Sequence, residues 1–134
     1  MKTCKGFTLI ELILVIAILA ILSVAAIPKF VDTSIEARQV SREGVVGAVL
    51  AGLSIYRAND MVTREGAPGF YPSTLDSASS GTCSKDNPCF TEVTIYGIDD
   101  SKWIKLDATT YTYNDGVALV TYTYDSGNGN FTKE

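Results

Sequence analysis

The chain has 134 residues, 15 acidic against 11 basic side chains, a formal net charge of −4, three cysteines and no histidine. That length suits one domain of modest core. Without histidine the commonest general base and the usual zinc or haem ligand are missing, which argues against hydrolytic triads and most transition-metal enzymes. The acidic balance argues against a nucleic-acid binder that relies on an overall basic surface. Mean hydropathy is slightly positive, and nearly all of the excess lies before Pro28.

Residues 7–27 read FTLIELILVIAILAILSVAAI, interrupted only by Thr8, Glu11 and Ser23. A helix of that length spans roughly 30 Å, the thickness of a bilayer core. Lys2 and Lys5 precede it, and a basic flank tends to stay in the cytoplasm, which places the polar remainder across the membrane. Three readings compete: a cleaved secretory signal, a permanent single-span anchor, and a segment that leaves lipid to join another structure. Ser23-Val24-Ala25 offers the small-x-small triplet that a signal peptidase accepts. Glu11 speaks against both the signal and the passive anchor, because an intramembrane carboxylate is costly and calls for a named partner.

The residues around Glu11 supply one. Lys5-Gly6 followed by Phe7-Thr8-Leu9-Ile10-Glu11-Leu12 resembles the prepilin signature of type IV pilins and type II secretion pseudopilins, and the resemblance runs through Pro28. It implies cleavage between Gly6 and Phe7 by a membrane aspartyl prepilin peptidase, with N-methylation of the new terminus at Phe7. The apolar run then stays in the mature protein. Cleavage leaves a cationic α-amine at Phe7, one helical turn from Glu11. The resemblance implies that Glu11 of one subunit meets the amino terminus of a neighbour. Opposite charges about 4 Å apart interact by roughly 4 kcal/mol at an effective dielectric near 20, before desolvation is subtracted. Such a pair selects register more than it adds affinity.

Pro28 removes one backbone hydrogen bond and crowds the carbonyl of Val24, so a helix kink or local melting is predicted there. Helical character then continues to a predicted stop at Asn59-Asp60. Val46, Val49, Leu50, Leu53 and Tyr56 recur at spacings of three and four and share one face. Gly44, Gly47 and Gly52 are costly in a helix and mark close packing, slight bending or a break.

Residues 61–92 read as a loop region, in which Tyr71-Pro72-Ser73-Thr74-Leu75 resembles the Tyr-Pro-x-x-Leu element of pilin-like proteins. With Cys4 inside the implied leader, Cys83 and Cys89 remain as an even pair for an oxidising compartment, and a disulfide is expected. The rival, a metal site, is poorly served by two cysteines without histidine. Predicted strands cover 91–96, 103–106, 110–113 and 117–124, with Asp115-Gly116 as a hairpin signal and a last turn over 125–130. That last turn carries oxygen ligands and glycines like a calcium loop, but its spacing matches no EF-hand and a plain turn is preferred.

The fold expected is α+β and pilin-like: a long N-terminal α-helix, apolar in its first half, packed against a small C-terminal antiparallel β-sheet. Its parts are a leader (1–6), a transmembrane and polymerisation segment (7–27), an amphipathic helical half (28–60) and a β-rich head (61–134). The expected function is a non-enzymatic structural subunit of a type IV pilus, without cofactor or metal, that polymerises with itself. It starts as a single-pass protein of the inner membrane and ends in a cell-surface pilus. The resemblance implies as further partners the prepilin peptidase and an inner-membrane assembly platform with its ATPase; no specific nucleic acid is expected. The alternative within the family is a type II secretion pseudopilin forming a periplasmic piston. Outside it stand a secreted binding module and a monomeric anchored one.

Overall fold

A computed structural model describes residues 6–65 and 68–134, so Lys2, Cys4 and Lys5 lie outside the described residues. One helix, α1 (Leu9–Thr63), is followed by five strands: β1 (Gly81–Thr82), β2 (Trp103–Lys105), β3 (Thr110–Asn114), β4 (Leu119–Asp125) and β5 (Asn130–Lys133). The strands form one antiparallel sheet in the order β1-β2-β3-β4-β5, each paired with its neighbour in sequence. This is an α+β, pilin-like fold. Two compact units divide within α1, Met1–Glu36 and Ala37–Glu134.

In the second unit the period-2 geometry of the strands turns Trp103 and Lys105, Tyr111 and Tyr113, Val120, Tyr122 and Tyr124, and Phe131 into the core. Register puts Trp103 opposite Tyr113, Tyr111 opposite Tyr122 and Tyr124 opposite Phe131, so the core is largely a set of ring contacts. Phe90 meets Trp103 edge-on with ring centroids 5.4 Å apart, and Tyr122 stacks on Phe131 at 5.3 Å. Residues 37–63 of α1 cover this core with Val49 and Leu53, both buried, and with the half-buried Val45 and Val46. Leu50 and Tyr56, expected on the same face, are exposed instead at its margins. Gly52 lies so close to the 91–96 segment that a Cβ would collide with the Val93 carbonyl, which is why a helix-weakening residue stands there.

The helix outlasts the predicted stop by three residues and ends at Thr63, with Glu65 at φ 53 beyond it. Asp60 fixes the reversal that follows. Its Oδ2 accepts the Phe70 N–H at 2.8 Å, its Oδ1 lies 2.9 Å from Arg64 Nε, and the Arg64 guanidinium sits 4.7 Å above the Phe70 ring. Downstream, Tyr124 donates its hydroxyl to the Pro72 carbonyl at 2.6 Å, and Leu75 is fully buried.

The predicted strand over 91–96 is absent: the segment is a turn and bend. Phe90 takes φ 62, uncommon for a bulky side chain, and both the N–H and the hydroxyl of Thr94 return to the Phe90 carbonyl, at 2.9 and 2.7 Å. The alternating pattern therefore buries Val93 alone and leaves Ile95 and Tyr96 outside.

A buried polar cluster ties these pieces together. Asp76 accepts four hydrogen bonds: from the Ala78 N–H (3.0 Å) and Lys105 Nζ (2.5 Å) on Oδ1, and from the Phe90 N–H (2.7 Å) and the Tyr111 hydroxyl (2.9 Å) on Oδ2. Lys105 Nζ also donates to the Ala78 carbonyl at 2.9 Å. The ion pair is thus satisfied on both sides, the condition under which buried charge is tolerated. Burial and the neighbouring Asp76 carboxylate push the Tyr111 hydroxyl far above the usual phenol range.

Candidate functional site

The first unit carries the residues to which the sequence assigns function. Every residue from Gly6 to Ser34 is exposed, including each apolar side chain of the 7–27 run. The run is long and apolar enough to cross a membrane, and none of it is buried within the protein. A helix that is apolar all round and has no internal partner requires lipid or other chains around it.

Its start is defined by a capping box. Thr8 stands just before the first helical residue, and its hydroxyl oxygen accepts the Glu11 N–H at 3.3 Å while its hydroxyl donates to Glu11 Oε2 at 2.7 Å. The Glu11 carboxylate reaches back in turn to accept the Thr8 N–H at 2.9 Å. The four-residue pattern Thr8-Leu9-Ile10-Glu11 is the S/T-x-x-E signature of this cap. Sequence reasoning assigned Glu11 to assembly and passed over Thr8, although the spacing alone carries the signal. The carboxylate is thereby drawn back over the first turn, toward the Gly6-Phe7 junction, with Gly6 and Phe7 both exposed just outside the helix.

Farther along, the Ser23 hydroxyl donates to the Leu19 carbonyl at 2.7 Å and the Thr33 hydroxyl to the Lys29 carbonyl at 2.9 Å, the back-bonding by which polar residues are carried in a helix. α1 is helical on both sides of Pro28 and through it. Pro28 has no N–H to give the Val24 carbonyl, which is left without its helical donor.

In the second unit, Cys83 and Cys89 are joined by a disulfide with Cα atoms 5.4 Å apart. Both cysteines are buried, and Ser84 and Asn87 pair across the small loop that the disulfide closes. The loop over 125–130 is occupied by its own hydrogen bonds. Asp125 Oδ1 accepts the Gly127 N–H at 2.8 Å, and its Oδ2 accepts Asn128 Nδ2 at 2.7 Å. Gly129, at φ +73, lets the Tyr71 ring approach where a Cβ would collide. Among the described residues there is no group of three or more His, Cys, Asp or Glu side chains arranged to hold a metal ion.

Comparison with known proteins agrees with this placement of function at the N-terminus. Residues 1–27 match the family model described as the prokaryotic N-terminal methylation motif. A 51-residue stretch, 38% of this chain, is 45% identical to the type IV narrow pilus major component PilA5 of Thermus thermophilus. That stretch covers 44% of the relative, less than half of its length. No solved structure matches. The methylation motif therefore spans the Thr8–Glu11 cap and the exposed apolar part of the helix, ahead of the antiparallel sheet in sequence. The chain thus carries the methylation motif over its first 27 residues and is similar to a type IV pilus component over a 51-residue stretch.

Proposed function

We propose that the protein is a structural subunit of a type IV pilus, cleaved between Gly6 and Phe7 by a prepilin peptidase, N-methylated at Phe7 and polymerised from the inner membrane. The observation that carries this reading is the Gly6-Phe7 junction ahead of a fully exposed apolar helix in which Glu11 is the one ionisable side chain before Pro28. Moving that helix from lipid to a bundle of like helices gains little hydrophobic free energy, since lipid tails are as apolar as the helix surface. Close packing and a charge pair must then supply the selectivity. Cleavage creates an α-amine at Phe7 that complements Glu11 of a neighbouring copy, and the capping box holds that carboxylate at the end of the helix where the amine appears. The kink assigned to Pro28 belongs to the same proposal as the site where the helix adjusts between lipid and filament. The peptidase, the assembly platform and its ATPase are the partners this route requires.

The relative's own description as a major pilus component favours a pilus over a secretion pseudopilus. Electron microscopy of material sheared from producing cells, labelled with antibody to this chain, tests the proposal. Long labelled fibres are expected. Short assemblies confined to the periplasm are the pseudopilin outcome, and a monomeric product overturns both.

A further inference from the structure

The hairpin tip between β3 and β4 exposes four consecutive residues without a polar side chain, Gly116, Val117, Ala118 and Leu119, with Val117 71% and Leu119 63% exposed. Runs of this kind on a water-facing surface mark interaction sites. The tip is also firmly held. Asp115, itself buried, accepts the Val117 and Ala118 N–H groups on Oδ1 at 2.9 and 2.8 Å, and its Oδ2 lies 3.7 Å from Arg42 Nη1. Its main-chain carbonyl accepts Arg38 Nη1 at 3.1 Å, and Gly116 takes φ +92 with the Arg38 guanidinium where a Cβ would stand. A loop fixed in this way loses little conformational entropy when it docks.

The same unit carries a groove of about 350 Å³, lined by Gly52, Ile55 and Tyr56 of α1 and by Glu92, Val93 and Ile95 of the turn after the disulfide. Ile95 is 90% exposed and Ile55 70%. Glu92, on its rim, makes no ion pair among the described residues, and neither does Arg38 beside the hairpin tip. The two surfaces are therefore alike in polarity, and Arg38 beside the tip is opposite in charge to Glu92 on the groove. They are also well separated: between Arg38 and Ile55, α1 advances roughly 25 Å. Distinct complementary patches set apart along one helix define a heterologous contact, which repeats as an open helical filament where the rotation does not close.

We propose that the 116–119 hairpin tip of one copy seats in the Ile55–Ile95 groove of a second copy, with Arg38 of the first beside Glu92 of the second. This rests on the filament reading and gives the heads their own head-to-tail contact, separate from the N-terminal helices. The test co-expresses Leu119→Cys and Ile95→Cys subunits in equal amounts comparable to that of the wild-type chain, so that the two variants are often neighbours, and oxidises the sheared filaments. A disulfide-linked dimer that neither variant yields alone is the expected result. Should either variant be excluded from filaments, Ala118→Cys and Glu92→Cys take their places. Filaments that incorporate both variants yet stay monomeric after oxidation overturn the docking and leave the filament reading intact, and a cross-link to a protein of another mass overturns the second copy as occupant. If the wild-type chain forms no filament, the reading beneath the proposal fails first.

Discussion

Replacing Asp76 by alanine removes the acceptor on which four donors converge. Lys105 is then a buried ammonium left with one carbonyl, and breaking a buried pair in this way costs about 3–5 kcal/mol. The Phe90 N–H and the Tyr111 hydroxyl lose their partners as well, at about 1–3 kcal/mol for each group that stays dry. Relaxation makes these overlap, so a total loss of about 4 kcal/mol or more is expected, a large share of the roughly 5–15 kcal/mol typical of a domain. For a unit of this size that lowers the melting temperature by about 15–30 °C. Near-ultraviolet circular dichroism of the detergent-solubilised chain is the appropriate assay, because Trp103 and the core tyrosines report on the head while the apolar helix persists in detergent. The double variant Asp76→Ala/Lys105→Met should be more stable than Asp76→Ala alone, since it removes the stranded charge. An Asp76→Ala protein within about 1 kcal/mol of wild type, or a double variant less stable than the single, refutes the reasoning.

Four further outcomes are expected. Glu11→Ala should accumulate in the membrane fraction without forming filaments, as read by shearing and immunoblotting; normal fibre yield would count against the charge-pair role. Reducing the Cys83–Cys89 disulfide, or replacing both cysteines by serine, should cost about 2 kcal/mol in the chain-entropy model and lower the melting temperature of the head accordingly. Gly52→Ala should displace the Val93 backbone, visible as a lower melting temperature, whereas Gly47→Ala, with open space at its Cβ, should be neutral or slightly stabilising. Hydrogen bonds from the Ala118 and Val117 N–H groups, with Arg42 and Arg38 nearby, hold the Asp115 carboxyl below the usual carboxylate range. Its contribution to stability is therefore complete above the ordinary aspartate pKa of about 3.9 and is lost as pH falls through the lower native value. Thermal melts between about pH 2 and 6 should show a steeper acid loss for wild type than for Asp115→Asn.

The helix, the strand-rich head and the disulfide were legible because each is written locally. A mostly apolar run, the Asp115-Gly116 turn signal and the two cysteines left once Cys4 is set aside need no distant partner to be read. The N-terminal cap was equally local and was still passed over, because Glu11 already had a role and Thr8 looked like an interruption in an apolar span. What could not be read depends on long-range contacts. Thr91–Tyr96 alternates like a strand, yet Phe90 is held by Asp76 from across the sequence and Gly52 presses on Val93, so the segment folds as a turn. The Asp76–Lys105–Tyr111 cluster joins residues from three separate segments, and nothing near any of them announces the other two. The return strand after the Asp115-Gly116 turn was expected two residues too early: Val117 and Ala118 belong to the Asp115 loop, and the strand starts at Leu119.

The most direct measurement is the mass of the N-terminal peptide from the cell-surface form of the protein. A terminus that begins at Phe7 and carries one added methyl group on its amine is the result this account predicts. A chain that begins at Met1, or after Ala25 or Ala26, would contradict it, because the first puts the α-amine six residues before Phe7 and the other two remove Glu11 itself.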